Sequence, residues 1–282
     1  MNARVTIRTG KTCRTTRVAM QRMTIKRFDP SKMADRGVIL VLGKRGTGKS
    51  VLCADLLGRL QPPFERGAMV CETIGGLQDL ECARMFAPDR VHGKYSPSIL
   101  PDVIAEQKRI IKEANNKSRA AGELARMENW AKTHRCQVLL DDVLYDKERV
   151  TDAVREVMVN GRQLGINMLI TMQYPMRLAP NLRCSVDYVF IFRETVVRTR
   201  KLLYEYYAGI LPTFEAFECI LDQIMTTPFE CLVIDNTVHC VKPEDSLFFY
   251  KAEMPSQQDP IGTGFVASEQ APGRKRQRVG DQ

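Results

Sequence analysis

The sequence contains no C-x-x-C pair and only three histidines, His92, His134 and His239, none at ligand spacing. Its nine cysteines (Cys13, Cys53, Cys71, Cys82, Cys136, Cys184, Cys219, Cys231 and Cys240) are scattered singly, which excludes the usual zinc ligand sets and a disulfide framework and fits a reducing compartment. No apolar run reaches the roughly 20 residues that a helix needs to cross a bilayer. The opening MNARVTIRTGKTCR has scattered bases but no continuous apolar core of a secretory signal. The chain is therefore expected to be soluble and unsecreted.

Acid is also missing where base is dense. Residues 1–27 hold eight lysines and arginines and no aspartate or glutamate, and residues 271–282 hold four against one acid, so of the net +9 the middle of the chain carries 9 − 8 − 3 = −2. Two basic ends fit a polyanionic partner such as nucleic acid; they fit solubilising termini equally well. At 282 residues and 44% hydrophobic content, one main core is expected. The organisation reads as a basic N-terminal arm over 1–22, a folded domain over 23–254, and a tail over 255–282. There the composition shifts to Gln, Pro, Gly and Ser and predicts disorder. Within that tail GRKRQR, 273–278, is a candidate nuclear-import signal or DNA-contacting patch, or simply a solvated end.

Between the ends, short β-branched runs alternate with helical spacing. MTIKRF (23–28), VILVL (38–42), GAMVCET (67–73), CQVLLDD (136–142), INMLITMQ (166–173), VDYVFIFR (186–193), ECLVIDN (230–236) and LFFYKA (247–252) predict strands. Helices are expected after Lys49, over 101–133 as one long or two short helices, over 147–164, near 195–208 and over 213–225. The predicted fold class is α/β: a three-layer sandwich with a mostly parallel central sheet and helices on both faces.

GKRGTGKS, Gly43 to Ser50, matches G-x-x-x-x-G-K-[ST] between a strand and a helix. The glycines let backbone N–H groups close around phosphate oxygens at a helix N-terminus. Lys49 would neutralise the β- and γ-phosphates, and the Ser50 hydroxyl can ligate magnesium. Gly43, Lys44, Arg45, Gly46, Thr47, Gly48, Lys49 and Ser50 are therefore the candidate nucleotide-binding residues of a Walker A loop. The loop also suits small nucleotide kinases. A GTPase is disfavoured, because the nearest match to N-K-x-D is NKSR, which ends in Arg119, and no D-x-x-G follows LLDD.

Asp141 and Asp142 close a buried strand, at the edge where open α/β sheets bind ligands. Asp141 is the candidate magnesium-shell acid, and Asp142, beside it, the residue that could orient and polarise a water. A second acid makes water the expected phosphoryl acceptor, and no acceptor-substrate pocket for a kinase is marked. Capping of the following turn is the plain alternative. Gln173 ends the next strand at the same edge and could sense the γ-phosphate, and Arg162, just before that strand, could reach a neighbouring subunit's phosphate or merely sit at a helix end.

GRQLGINMLITMQ followed by PNLRCSVDYVFIF resembles the FtsK/HerA superfamily of DNA-pumping ATPases. Within it, IKRFDP, LGKRGTGKS, LLDD, NGRQLGI with MQ, and ECLVIDN with FFYKA, in this order over about Ile25 to Ala252, resemble the poxvirus-type virion packaging ATPases of nucleocytoplasmic large DNA viruses. The resemblance implies an ATP- and Mg²⁺-dependent ATPase assembled as a homo-oligomer, a ring of six, that translocates double-stranded DNA into a preformed capsid. Capsid or inner-membrane virion proteins are implied partners. The implied location is the cytoplasmic virus factory or nucleus of a host cell, and the virion. On this sequence it makes Lys49 and Ser50 the nucleotide and magnesium residues, Asp141 the magnesium-shell acid, Gln173 the sensor and Arg162 the arginine finger. Arg183 and Arg193 are alternatives for the finger. Asp142 stands where many relatives carry glutamate, which shortens the arm by one methylene. Two other readings keep the same loop: a cellular or mobile-element translocase of the HerA type, and a nucleotide-binding assembly protein that anchors DNA with negligible turnover.

Overall fold

The computed structural model describes residues 3–9, 19–34, 36–60, 64–72, 81–120, 134–175, 178–238 and 242–254. The expected disordered tail with its GRKRQR segment, residues 10–18 of the basic arm, and 121–133 of the helical stretch expected over 101–133 lie outside the described residues.

Among the described residues, ten strands form one sheet: β1 (Ala3–Thr9), β2 (Ala19–Arg27), β3 (Val38–Leu42), β4 (Arg66–Cys71), β5 (Val91–His92), β6 (Cys136–Asp141), β7 (Ile166–Met172), β8 (Tyr188–Phe192), β9 (Glu230–Asp235) and β10 (Leu247–Lys251). Their order is β1-β2-β10-β9-β8-β3-β7-β6-β4-β5. From β8 through β5 every neighbouring pair is parallel, whereas β8–β9, β9–β10 and β1–β2 are antiparallel. The helices are α1 (Lys49–Arg59), α2 (Glu81–Arg84), α3 (Ile99–Ala120), α4 (Asp152–Asn160), α5 (Pro180–Arg183), α6 (Val197–Tyr207) and α7 (Phe214–Ile224).

β3 is wholly buried because both faces are covered. Its Val38, Leu40 and Leu42 join the core under α3, α4, α6 and α7, while Ile39 and Val41 join the core under α1 and α2. This is the three-layer arrangement that the strand–helix alternation predicts.

Two expectations change. The boundary at 22/23 falls inside a strand, since β2 begins at Ala19 and pairs in register with Ala3–Thr9, so part of the basic arm is sheet edge. The single helix expected over 147–164 is a short 3-10 turn at Lys147–Arg149 followed by α4 from Asp152. There the Thr151 hydroxyl accepts the Val154 N–H and sets a later start. The backbone turns at Gly161, well before Leu164.

The phosphate-loop helix is tied to the last strand through Asp55, which is 2% exposed. Its carboxylate accepts the Tyr250 hydroxyl at 2.6 Å, the Glu253 N–H at 3.0 Å and the Arg59 guanidinium. Burial, and then the Asp55 carboxylate beside it, push the Tyr250 phenol up. Tyr250→Phe leaves a buried carboxylate short of one donor and should destabilise the domain by about 1–3 kcal/mol, read as a lower denaturant midpoint with an unchanged slope.

Candidate active site

The loop after β3 needs its glycines at two positions above all. Gly48 has φ of +106°, and a Cβ there would come within 2.5 Å of the Phe229 ring; a Cβ on Gly43 would meet Thr47 Oγ1 at 2.6 Å and Phe192 Cβ at 2.8 Å. The loop is anchored sideways as the Gly43 N–H donates to the Met172 carbonyl at 3.1 Å. α1 begins at Lys49, so the orphan N–H groups of its first turn face the loop.

Lys49 is 7% exposed. Its ammonium donates to the carbonyls of Gly43 at 3.0 Å and Lys44 at 3.3 Å, and pairs with Asp142 Oδ2 at 3.2 Å. A buried cation needs such partners to remain charged. Arg45, Gly46, Gly48, Lys49 and Ser50 line a cavity of about 770 Å³, together with Glu72, Asp141, Asp142, Tyr145, Gln173 and Phe229. Among the loop residues expected to bind nucleotide, Gly43, Lys44 and Thr47 do not line it. Thr47 Oγ1 donates to the Lys44 carbonyl at 2.8 Å. The Lys44 ammonium turns instead to the buried Glu194 carboxylate at 2.6 Å and the Thr195 hydroxyl at 3.3 Å. Glu194 also accepts the N–H groups of Thr195 and Val196, both at 2.7 Å. Lys44 thus fastens the loop to the end of β8.

β7 lies between β3 and β6. With about 4.8 Å between neighbouring strands, the tip of β7 falls midway between the loop and the acid pair, roughly 10 Å apart. Gln173 occupies that midpoint and donates from Nε2 to Asp142 Oδ2 at 2.9 Å. Lys49, Asp142 and Gln173 are therefore joined through one carboxylate oxygen.

Asp141 is 6% exposed and held by two donors, Thr171 Oγ1 at 2.6 Å and Cys71 Sγ at 3.2 Å. Asp142 has φ of +55°, a left-handed conformation that aspartate tolerates better than most residues. Its N–H donates to Thr171 Oγ1 at 2.9 Å. One threonine hydroxyl thus contacts both members of the acid pair. Thr171 was not singled out in the sequence, although a hydroxyl inside INMLITM, two residues before Gln173 and so on the same face, is a readable signal.

Glu72, just past β4, is a third carboxylate on the wall. It accepts the Tyr95 N–H at 2.8 Å, Arg149 at 2.8 Å and the Tyr145 hydroxyl at 3.3 Å. Burial works against its charge, but these donors outweigh it and hold the carboxyl below the usual range. A carboxylate so fully engaged is a structural brace for Tyr145 and Arg149 rather than a base.

Arg162 is not brought to this cavity. It lies before the first residue of β7, at the opposite edge of the sheet, and its guanidinium pairs with Asp187. Burial pushes the Asp187 carboxyl up, against the Val38 N–H and Arg162, which hold it down. Of the alternatives, Arg183 stacks over the Tyr206 ring at 3.8 Å, and Arg193 is exposed at the end of β8 on the same sheet edge as the loop.

No protein-family model matches the chain. Its sequence is 30% identical over 234 residues to uncharacterized protein 088R of Invertebrate iridescent virus 3, covering 82% of this chain and 80% of that protein. It is 31% identical over 229 residues to uncharacterized protein 075L of Invertebrate iridescent virus 6, covering 77% and 81%. The chain belongs to this family of viral proteins. A similar protein of Acanthamoeba polyphaga mimivirus, L437, is 28% identical over 230 residues, 80% of this chain and 76% of that one. Among solved structures, B204, the DNA-packaging ATPase of Sulfolobus turreted icosahedral virus, aligns over 78% of this chain and all of its own with TM-score 0.50 and 15% identity. EssC (ATPases 2 and 3) of Geobacillus thermodenitrificans aligns over 86% of this chain and 43% of its own with TM-score 0.53 and 14% identity. At these identities the viral family member shares the fold of P-loop ATPases, and the likeness says no more than that.

The donor set fits magnesium. The Ser50 hydroxyl and the Asp141 carboxylate are hard oxygen donors on one cavity wall, and Mg²⁺ is ordinarily held by one or two carboxylates plus substrate phosphates. Among the described residues no cluster of three or more His, Cys, Asp or Glu could cage a metal alone, and no helix is long and apolar enough to cross a membrane.

Proposed function

We propose that the protein is an ATP-hydrolysing motor that moves double-stranded DNA into the capsid during virion assembly, working as a ring-shaped homo-oligomer in the infected cell. The observation that carries the hydrolytic part is the contact of Lys49 and Gln173 with one oxygen of Asp142, beside a buried Asp141. A triphosphate entering the loop would take over Lys49 as counter-ion. The Asp142 carboxylate, relieved of the ammonium, could then accept the proton of an attacking water while Gln173 follows its movement. Magnesium, when bound at Ser50 and Asp141, would neutralise charge developing on the phosphates. The packaging part is supported by membership of a family of viral proteins, by the shared fold of a viral DNA-packaging ATPase, and by the eight bases in the first 27 residues. Lys49 and the acid pair would bind and hydrolyse ATP, and the basic ends would contact DNA.

The deciding measurement is ATP turnover by the full chain with and without double-stranded DNA. A motor should be stimulated several-fold, on the order of tenfold, and the stimulation should fade as salt displaces phosphate contacts. Turnover at the background rate in both conditions would instead identify an anchoring assembly protein.

A further inference from the structure

Phe229 is strained, exposed and beside the phosphate loop, and no requirement of the fold explains that combination. Its φ of +67° is a left-handed conformation that a bulky residue rarely adopts. The residue is 40% exposed. The chain nonetheless fixes it from both sides. The Glu230 carboxylate accepts the N–H groups of Thr226 at 2.8 Å and Thr227 at 2.6 Å, and the Phe229 carbonyl accepts the Ala252 N–H at 3.1 Å. Strain of this kind persists where the surroundings over-determine it and clusters at functional sites.

What the held geometry achieves is to lay a phenyl ring along the glycine loop, against Gly48, as part of the cavity wall with Val51. Sheet order says which flank this is. Phe229 immediately precedes β9, which runs antiparallel to β8 with Cys231 opposite Phe192, so the start of β9 is at the loop's edge of the sheet. The order β9-β8-β3-β7-β6 then puts Phe229 on one side of the loop and the acids and Gln173 on the other. With a triphosphate on Lys49, the reacting phosphate must face the acid side, and the rest of the ligand extends the other way. The other aromatic on the wall, Tyr145, is on the acid side. Its hydroxyl is spent on Glu72, and the Arg149 guanidinium covers its ring at 4.1 Å.

We propose that Phe229 is the platform on which the nucleobase stacks. The proposal rests on the nucleotide-site reading and adds its specificity: a π-face recognises a large flat base by area, so the site prefers purine over pyrimidine triphosphates.

The test compares binding of ATP and of inorganic tripolyphosphate, both with magnesium, to the full chain. Phe229→Ala should weaken ATP by about tenfold or more and leave tripolyphosphate within about twofold, and Phe229→Trp should keep both. Phe229→Gly should lose the same ATP affinity while melting higher than Phe229→Ala, since glycine accepts the left-handed backbone freely. Equal loss of both ligands in the alanine variant would overturn the platform in favour of a prop for the loop, as would unchanged ATP binding. A wild-type chain that binds neither ligand would overturn the nucleotide-site reading itself and the platform with it. Binding of tripolyphosphate alone would overturn only the platform.

Discussion

Alanine at Lys49 should lower ATP affinity by about 10²–10⁴-fold and take turnover with it, because two charge-assisted phosphate contacts of roughly 1.5–3 kcal/mol each disappear. The fold should survive, since the Lys49 ammonium touches only two loop carbonyls and Asp142. A thermal melt within a few degrees of wild type would confirm that. Asp142→Asn separates binding from chemistry. An asparagine keeps the size of the side chain but cannot take a proton, so turnover should fall by about 10²–10⁴-fold while ATP still binds. Losing the anion also removes a competitor for Lys49, so ATP should bind this variant at least as tightly as wild type. Wild-type turnover in either variant would remove the assigned roles of the loop lysine and the second acid.

The residues of this site differ in how readable they were, and the reason is geometric. Asp141, Asp142 and Gln173 stand where apolar strand runs stop, and strand ends in a parallel sheet collect at one edge, so sequence alone predicts their assembly. Thr171 was readable in principle as a hydroxyl inside a buried run. The pairing of Lys44 with Glu194 was not, because 150 residues separate them and only the β3–β8 pairing unites them. Phe229 was invisible for a different reason: Pro228 announces a turn, but nothing in a phenylalanine's type announces the positive φ that follows it. The same contrast holds for the fold. β3, β6, β7 and β8 are continuous buried runs, whereas β1, ARVTIRT, alternates Val5 and Ile7 with Arg4, Thr6 and Arg8, a period-two signal easily passed over in a segment dense in base. In 147–164 the apolar spacing of Val154, Val157 and Met158 reads as helix, and the Thr151 cap and the turn at Gly161 confine it to the middle.

Arg162 is placed so that it can act only on a neighbour. β7 has seven residues, and at about 3.3 Å each it separates Arg162 from the Gln173 edge by roughly 20 Å or more, beyond the reach of any side chain. Arg162→Ala should therefore leave ATP binding by its own loop unchanged while lowering turnover of the assembly by about 10³-fold, the contribution an arginine finger makes to the transition state. Arg162→Lys should not recover it, because an ammonium lacks the planar fork of donors. The paired Asp187 holds the guanidinium at the sheet edge, and a neighbour's γ-phosphate must compete with that carboxylate for it. Mixing Arg162→Ala subunits with Lys49→Ala subunits creates some interfaces in which an intact Lys49 site faces an intact Arg162. Turnover should reappear in the mixture although each variant alone is inactive, and it should rise and fall with the fraction of such interfaces. Verified mixed assemblies that stay inactive would show that Arg162 serves only its pair with Asp187, and would shift the role to Arg193, which stands on the phosphate edge of its own subunit.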